Sequence, residues 1–280
     1  ADFVVTEAGF GSDMGAEKFM HIKAATSGKA PDCVVMNVTV RSMKLHGGAF
    51  GNRGGVRPDK ATLEAEHVEA VTVGATTNLD RHIRNMASFG MPVVVSINRF
   101  ASDTKAELDA IADAAHASGA SAVCLTEVHG KGGAGGEDLA KAVVKAVQGH
   151  VADGRPFVPL FEADADVLDK ARHIATRLYK ADDIDVSPKA TRQLDQIRSW
   201  GYGHLPVCMA KTQYSFSHDA GQLGAPVGFT IPIREFRLNA GAGFVVAILG
   251  DMMTMPGLPK RPAALDMDMD ENGNLIGMFG

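Results

Sequence analysis

The chain has 280 residues, of which 45% are hydrophobic and 22% are charged, enough for two or three subdomains with sizeable cores. A formal net charge of -5 argues against a protein that binds nucleic acid through bulk positive charge. No apolar run reaches the roughly 20 residues that span a bilayer. The three widely spaced cysteines predict buried, reduced thiols in a cytoplasmic protein.

The first predicted strand is Asp2 to Glu7, and a glycine-rich, charged loop follows it. Its glycines at positions 9, 11 and 15 are similar to the dinucleotide motif G-x-G-x-x-G, but the third glycine falls one residue late and the match fails. The loop is therefore either a tight structural turn or the rim of an active site. Its charged side chains are Glu7, Asp13, Glu17 and Lys18.

A second strand is predicted over Cys33 to Val40, and a long, basic, glycine-rich loop is predicted from Lys44 to Pro58. A loop of that length in a compact domain is usually functional or mobile. A helical pattern then covers Asp59 to Gly90, with a predicted break near Gly74.

The stretch from Pro92 to Thr104 is the one around which the chain is organised. Val93 to Ile97 is a short, mostly β-branched run that is typical of a strand buried on both faces. Polar residues follow it, and a capping box from Thr104 to Glu107 then starts a helix that ends at Gly119. Ligands of open α/β sheets bind beyond the carboxyl ends of the strands, so the residues after Ile97 mark a candidate binding site.

A second buried strand is predicted over Ser121 to Val128, and a glycine-rich loop begins at His129. A right-handed crossover makes this strand parallel to the previous one, so both following loops lie at the same edge of the sheet. The next predicted elements are a helix over Glu137 to Gln148, a strand over Phe157 to Glu162, a helix over Val167 to Leu178, a helix from Ser187-Pro188 and a buried strand over Leu205 to Ala210.

The C-terminal part has an antiparallel pattern. Phe229 to Leu238 and Phe244 to Leu249 flank a short glycine-containing turn, which predicts a hairpin. Ala264 to Met267 is predicted to pair with Leu275 to Phe279 across another turn. The elements together predict an α/β fold with mostly parallel, three-layer sheets in two or three subdomains, and a mixed or antiparallel C-terminal sheet.

Motifs for metals and phosphates are incomplete. Asp268 to Gly273 imitates an EF-hand loop, but the twelfth position is Phe279 instead of glutamate, so a hairpin turn is predicted and no metal ligand is assigned. The sequence has no G-x-x-x-x-G-K-[ST] phosphate loop, no H-x-x-x-H pair and no G-x-S-x-G elbow. Two strand ends are nevertheless dense in functional groups, Lys211 to Ser217 and Gly250 to Pro262, each either a ligand-binding loop or a rigid surface loop.

Several long motifs resemble the formate–tetrahydrofolate ligase family, also called 10-formyltetrahydrofolate synthetase, in the family's order. They are TEAGFGSDMGAEKF (6–19), KLHGG (44–48), INRFASDT (97–104), AKTQYSFS (210–217) and the 250–262 stretch. The resemblance covers the whole chain but only about the carboxy-terminal half of the family's length. The family's phosphate loop, and the arginine associated with formyl phosphate, belong to the amino-terminal half.

The resemblance implies an enzyme that uses ATP with Mg2+ to join formate to tetrahydrofolate through formyl phosphate. It also implies a monovalent cation, a homotetramer and an amino-terminal half as partner. Net charge and the lack of a long apolar run predict neither nucleic acid nor membrane as a partner. The implied domains are residues 1–86, the remainder of a nucleotide-binding domain; 87–185, an α/β folate-site domain; and 186–280, a C-terminal mixed α/β domain.

The family's folate-site residues carry over one by one, and the implied folate-binding residues are Phe100, Ala101, Leu125 and His129. The nucleotide-binding residues are predicted from position instead: Asn98 stands where related nucleotide-binding folds hydrogen-bond a base, and Lys211, Tyr214 and Ser215 are expected to close the nucleotide side. His129 stands where the family usually has tryptophan, and Ala101 where it often has proline. Because imidazole stacks less area than indole, we expect a weaker pterin sandwich.

Two alternatives stay open beside this assignment. In the first, the chain is a split or proteolytic half that binds folate without ATP chemistry. In the second, it is a non-catalytic relative that serves as an assembly surface.

Overall fold

The computed structural model describes residues 1–51, 58–250, 261–271, 273, 275 and 276. They fall into two units, Ala1–Gly250 and Asp251–Gly280. Residues 52–57 and 251–260, which belong to two of the predicted loops, lie outside the described residues. The domain boundaries expected after residues 86 and 185 stay predictions.

A parallel sheet forms the part of the first unit that was predicted around Pro92. It consists of β1 (Val34–Val38), β2 (Val93–Asn98) and β3 (Ala122–Thr126), in the order β1-β2-β3. β2 is buried on both faces, as predicted, because it is the central strand. The predicted burial of β3 is wrong, since β3 is an edge strand and Leu125 is 42% exposed. Apolar composition alone does not distinguish an edge strand from a central one.

The helices of the first unit are α1 (Ala25–Ser27), α2 (Val40–His46), α3 (Lys60–Glu64), α4 (Val68–Gly74), α5 (Asp80–Ala87), α6 (Lys105–Ala117), α7 (Val128–Lys131), α8 (Glu137–Asp153), α9 (Val167–His173) and α10 (Pro188–Ser199). Four π-helical segments accompany them, Ser12–Ala16, Phe19–Ala24, Ala75–Leu79 and Ile174–Leu178, together with a 3-10 turn at Gly132–Gly136.

Helix α2 occupies the start of the predicted basic loop, so the loop prediction is wrong for residues 44–46, which are helical. The helix begins because Thr39 and Ser42 cap each other: the Thr39 hydroxyl accepts from the Ser42 amide at 3.1 Å. Serine in place of the usual glutamate or glutamine hid this box in the sequence.

The predicted break near Gly74 is also wrong, because α4, the π segment Ala75–Leu79 and α5 follow one another directly, and the break lies between α3 and α4. Packing explains why residue 74 is a glycine, because a Cβ there would overlap the carbonyl oxygen of Met43. A Cβ at Gly47 would overlap the carbonyl oxygen of Ala70 in the same way. These two glycines therefore let the backbones of α2 and α4 touch.

Helix α6 confirms the predicted capping box. The Thr104 hydroxyl accepts from the Glu107 amide at 3.3 Å, and the Glu107 carboxylate accepts from the Thr104 amide at 3.1 Å. The inner face of the helix, with Ile111 and Ala115 fully buried, belongs to the same core as β2. Helix α8 also contacts β2 and β3.

Three further helix predictions have mixed outcomes. α8 passes through Gly149 and ends at the left-handed Gly154, so the predicted end at Gln148 is wrong. The Val167 to Leu178 prediction is confirmed as α9 and the π segment Ile174–Leu178. The start of α10 is confirmed, with the Ser187 hydroxyl accepting from the Ala190 amide at 3.1 Å and Pro188 in the first turn.

Two smaller sheets complete the first unit. β4 (Asp183–Val186) pairs in parallel with β6 (Thr230–Ile233). β5 (Val207–Ala210) is parallel to β8 (Phe244–Ile248), which is antiparallel to β7 (Glu235–Asn239). The predicted hairpin and the mixed character of this sheet are confirmed, but the single strand predicted over 229–238 is split into β6 and β7, which belong to different sheets.

Two predicted strands are not formed. Asp2 to Glu7 has no strand pairing, and Val5 is 94% exposed. Phe157 to Glu162 is irregular, although Phe157 stacks on Phe89 with ring centroids 5.9 Å apart. An apolar run becomes a strand only where a neighbouring strand supplies hydrogen-bond partners, which the run itself does not specify.

The second unit contains a 3-10 turn, Ala263–Leu265, and a hairpin of β9 (Asp268–Met269) and β10 (Leu275–Ile276). The predicted hairpin turn after Asp268 is confirmed. The predicted partner, Ala264 to Met267, is wrong, because β10 pairs with β9; residues 277–279 of the predicted strand lie outside the described residues.

No helix in the described part of the chain is long and apolar enough to cross a bilayer. The three cysteines are free thiols, as predicted, but they are half-buried instead of buried. The α/β class with mostly parallel sheets is confirmed.

Candidate functional site

A cavity of about 550 Å³ lies in the first unit. Its walls come from the N-terminal segment, β1, α2, the Ala75–Leu79 segment with α5, and the loop after β5. The polar side chains in its lining include Glu7, Ser12, Asp13, His46, His82 and Tyr214. Three of the four π-helical segments border it, and such segments occur often at functional sites.

The charged loop that begins at Glu7 is partly a cavity rim and partly a structural turn, the two interpretations that the sequence left open. Glu7 and Asp13 line the cavity, as a rim would. Glu17 is fully buried, where its carboxylate lies 2.7 Å from His21 Nδ1 and pairs with Lys18 Nζ at 2.7 Å. Glu17 and Lys18 therefore hold the segment together instead of facing the cavity.

A buried ion pair joins Asp13 to Lys211. The Lys211 ammonium donates to the Asp13 carboxylate, to the Ser215 carbonyl and, at 3.1 Å, to the Thr212 carbonyl. Burial by itself raises the pKa of Asp13, but Lys211, together with His82 and Lys18, outweighs burial and holds that pKa below its ordinary value. Burial lowers the pKa of Lys211. The pair fixes the loop after β5 against the N-terminal segment.

Two histidines border the same space. His82 Nδ1 lies 2.6 Å from the Ser12 hydroxyl, and the His82 ring lies against Phe216 with centroids 4.5 Å apart. Burial lowers the pKa of His82 to about 4, so the ring is neutral near pH 7. Burial also lowers the pKa of His46, whose Nδ1 accepts from the Gly224 amide at 3.2 Å.

The structure places the four predicted nucleotide-binding residues in three different surroundings. Tyr214 and Ser215 line the cavity. Lys211 is fully buried, with its donors directed at Asp13 and backbone carbonyls. Asn98 ends β2 opposite Thr126 and is not part of the cavity lining.

The predicted folate-binding residues lie at a different place, the carboxyl ends of β2 and β3. Phe100 follows β2, and its amide donates to Asp103 Oδ2 at 2.8 Å. The guanidinium of Arg41 lies over the Phe100 ring, 4.0 Å from its centroid. Ala101, next along the loop, is exposed.

His129 and Leu125 belong to the neighbouring strand end. Leu125 is in β3, and His129 is exposed in the short helix α7 that follows. The loops after the two strands touch, because the Arg99 amide donates to the Thr126 carbonyl at 3.0 Å and the Arg99 guanidinium lies 3.2 Å from Glu127. The folate-site prediction therefore concerns one continuous edge of the parallel sheet, which we call the strand-end cleft.

Three residues of these sites were missed in the sequence: Arg41, His46 and His82. Arg41 follows the carboxyl end of β1, so the rule that selected Phe100 would have selected it too. His82 has no comparable signal, because its neighbours come from distant parts of the chain.

Within the described ranges, no three His, Cys, Asp or Glu side chains converge on a point that would hold a metal ion.

The chain is similar to known proteins along its whole length. The family model described as formate–tetrahydrofolate ligase matches residues 1–279. A formate–tetrahydrofolate ligase of Acidiphilium cryptum (strain JF-5) is 48% identical over 279 residues, which is 100% of this chain and 48% of the relative.

Two further relatives with the same name agree. That of Granulibacter bethesdensis (strain ATCC BAA-1260 / CGDNIH1) is 49% identical over 280 residues, 100% of this chain and 46% of the relative. That of Paracoccus denitrificans (strain Pd 1222) is 49% identical over 279 residues, 100% of this chain and 48% of the relative. The chain thus spans about half the length of the curated relatives it matches.

Proposed function

The chain belongs to the formate–tetrahydrofolate ligase family, and on that premise we propose that it supplies the folate-binding part of an enzyme that joins formate to tetrahydrofolate with ATP. The observation that carries the proposal is the match to the family over residues 1–279. The strand-end cleft supports the location, since its residues come from two neighbouring parallel strands.

The proposed reaction has two steps. ATP transfers its γ-phosphate to a formate oxygen, which gives formyl phosphate and ADP. The folate N10 then attacks the formyl carbon, the bond to the phosphate oxygen breaks, and N10 loses its proton, giving 10-formyltetrahydrofolate and phosphate. The protein must hold the anhydride and the amine in register and keep water away from formyl phosphate.

In this proposal the pterin ring binds at the strand-end cleft. Phe100 supplies an aromatic wall, Leu125 an apolar contact, and His129 a smaller facing ring than the family's usual tryptophan, beside Ala101.

The 550 Å³ cavity is the proposed nucleotide side. Tyr214 and Ser215 would contact the nucleotide there. Lys211 would act by fixing their loop, because its ammonium already donates to Asp13 and to two backbone carbonyls. Asn98, at the end of β2, would contact the nucleotide from the edge of the sheet. Mg2+ would enter as the complex with the phosphates of ATP.

Several parts of the proposal rest on family membership alone. They are a monovalent cation as activator, a homotetramer, the amino-terminal half with its phosphate loop as partner, and a cytoplasmic location.

The decisive experiment measures ADP release that depends on both formate and tetrahydrofolate. The 280-residue chain is assayed alone and with the separately supplied amino-terminal half of a relative. We expect activity only in the mixture, because the 280 residues contain no G-x-x-x-x-G-K-[ST] loop. No activity in the mixture, with no tetrahydrofolate binding to the 280-residue chain, would contradict the proposal.

A second candidate is a chain that binds folate but carries out no ATP chemistry. Tetrahydrofolate binding to the chain, combined with no ADP release in the mixture, would identify that case.

A further inference from the structure

Arg41 is a charged side chain beside the strand-end cleft whose donors find no acceptor in the described structure. It lies in the first turn of α2, directly beyond β1, and its guanidinium lies 4.0 Å from the centroid of the Phe100 ring. Its Nε is buried and has no hydrogen-bond acceptor. Among the described residues, the guanidinium forms neither a hydrogen bond nor an ion pair.

This state is unusual for an arginine. Arg41 is half-buried, and of its five N–H donors the one on Nε is buried without an acceptor, which is costly. Burial of the aliphatic stem does not explain the residue either, because a lysine or methionine would supply that contact without the five donors.

Helix stability gives no reason for Arg41. The first turn of a helix is the end at which the peptide dipoles disfavour a positive charge. The buried cation of α2, Lys44, has a structural reason, because its ammonium pairs with Glu107 at 2.9 Å and donates to the Ala65 carbonyl at 2.7 Å. Arg41 makes no comparable contact.

The carboxylates near Arg41 are engaged with other groups. Asp103, in the loop after β2, accepts from the Phe100 amide, and Glu107 is held by Lys44 and by the His67 amide at 2.8 Å. Arg41 and Lys44 act on Asp103 only through longer-range attraction, and burial outweighs them and raises the pKa of that carboxyl. The guanidinium is thus held in place by Phe100 with donors left for a ligand, an arrangement that suits a planar oxyanion bound by two parallel hydrogen bonds.

We propose that Arg41 is a ligand-binding residue of the strand-end cleft and that it binds an oxyanion, either a carboxylate or a phosphate, of the molecule that covers Phe100. The identity of that molecule rests on the proposed function, under which the carboxylates belong to the glutamate of tetrahydrofolate and the phosphate to formyl phosphate or ATP. The oxyanion chemistry itself rests on Arg41 and its surroundings alone.

The test measures binding to the complete protein that contains this chain, as wild type, Arg41→Gln and Arg41→Lys. The ligands are tetrahydrofolate, a tetrahydrofolate analogue without the glutamate, and inorganic phosphate. A charge-assisted, two-bond contact predicts that Arg41→Gln weakens the oxyanion ligand about 10- to 100-fold, with Arg41→Lys in between. The matched control is Lys105→Gln, which removes a cation from the first turn of α6 whose side chain is 87% exposed and paired with Asp109.

The ligands separate the two sources of the oxyanion. Arg41-dependent binding of tetrahydrofolate, with unchanged binding of the glutamate-free analogue, assigns a carboxylate and supports the proposal. Arg41-dependent binding of phosphate assigns a phosphate and also supports it. An equal loss for tetrahydrofolate and its analogue, with phosphate binding unchanged, would mean that Arg41 only supports the Phe100 ring, and would overturn the proposal.

The remaining outcomes keep the two proposals distinct. If the wild type binds tetrahydrofolate and neither it nor phosphate responds to Arg41, the inference fails while the proposed function stands. If the wild type does not bind tetrahydrofolate, the proposed function fails, and the phosphate measurement alone decides on Arg41. A loss in Lys105→Gln equal to that in Arg41→Gln would assign the effect to general charge and would overturn the inference.

Discussion

Two features of Phe100 make this single residue a candidate for ligand binding. One is its contact with the Arg41 guanidinium, and the other is its place beyond the carboxyl end of β2. An aromatic ring held by a cation on one side presents a fixed surface to a ligand.

We expect Phe100→Ala to weaken tetrahydrofolate binding in the complete enzyme by about 1 kcal/mol or more, the scale of an aromatic pair beyond its buried area. Titration calorimetry measures the change. Trp200→Ala is the control, because Trp200 is a 56% exposed aromatic residue at the end of α10. An unchanged affinity in Phe100→Ala would remove this ring from the folate site.

The Asp13–Lys211 pair leads to a prediction about stability. Because both groups are buried, Asp13→Asn leaves the Lys211 ammonium without its counter-charge, and we expect a loss of about 3 to 5 kcal/mol in the free energy of unfolding. The double variant Asp13→Asn/Lys211→Met should lose less than Asp13→Asn alone, since no buried charge remains. Urea unfolding measures all three proteins; a double variant less stable than Asp13→Asn would contradict this account.

Packing between elements depends on glycines whose roles differ with their surroundings. Gly74 lies where α4 meets the backbone of α2, and a Cβ there would overlap the Met43 carbonyl oxygen. Gly149 lies in the interior of α8, and no atom of a neighbouring element lies within 4 Å of the position that its Cβ would occupy. Both positions are helical, so helix propensity favours alanine equally at each. Only the neighbouring element distinguishes them.

We therefore expect opposite effects from the same substitution. Gly149→Ala should raise the free energy of unfolding by about 0.5 to 1 kcal/mol. Gly74→Ala should lower it by about 1 to 3 kcal/mol, because the new methyl group overlaps the Met43 carbonyl and forces α2 and α4 apart. Denaturant midpoints compare the two variants directly, and a stabilised Gly74→Ala would show that the helices separate without cost.

Helix α6 shows why some elements were predictable. Its capping box, its apolar spacing and its terminal glycine are all local, and each was confirmed. The end of α8 was not, because Gly149 is compatible with a helix end in the sequence and lies mid-helix in the structure. A glycine signals a helix end only when the backbone adopts the left-handed conformation, as Gly154 does with a φ of 60°.

The stability of the whole molecule should depend on pH through His82. In the unfolded chain this ring binds a proton near its ordinary pKa of 6.5, and in the folded protein the pKa is about 4. Between these values the unfolded state holds more protons, so stability that is fully present above pH 6.5 is lost as the pH falls.

We expect this group to remove at most about 2 kcal/mol of stability by about pH 5. His82→Gln lacks the titrating ring, so its free energy of unfolding should fall less steeply than that of the wild type as the pH drops from the unfolded pKa of 6.5 towards the folded pKa of about 4. Urea unfolding at a series of pH values gives both slopes. Identical slopes would mean that His82 is not held neutral by burial.

The sequence by itself determined the α/β class, the central strand β2, helix α6, the β7–β8 hairpin and the family, because each is encoded by local residue patterns or by long motifs. Only the tertiary structure decided that β3 is an edge strand, that residues 2–7 form no strand, that Lys211 is tied to Asp13, and that Arg41 covers Phe100. The physical reason is that strand pairing, burial and side-chain partners depend on residues far away in the chain, which a local pattern does not contain.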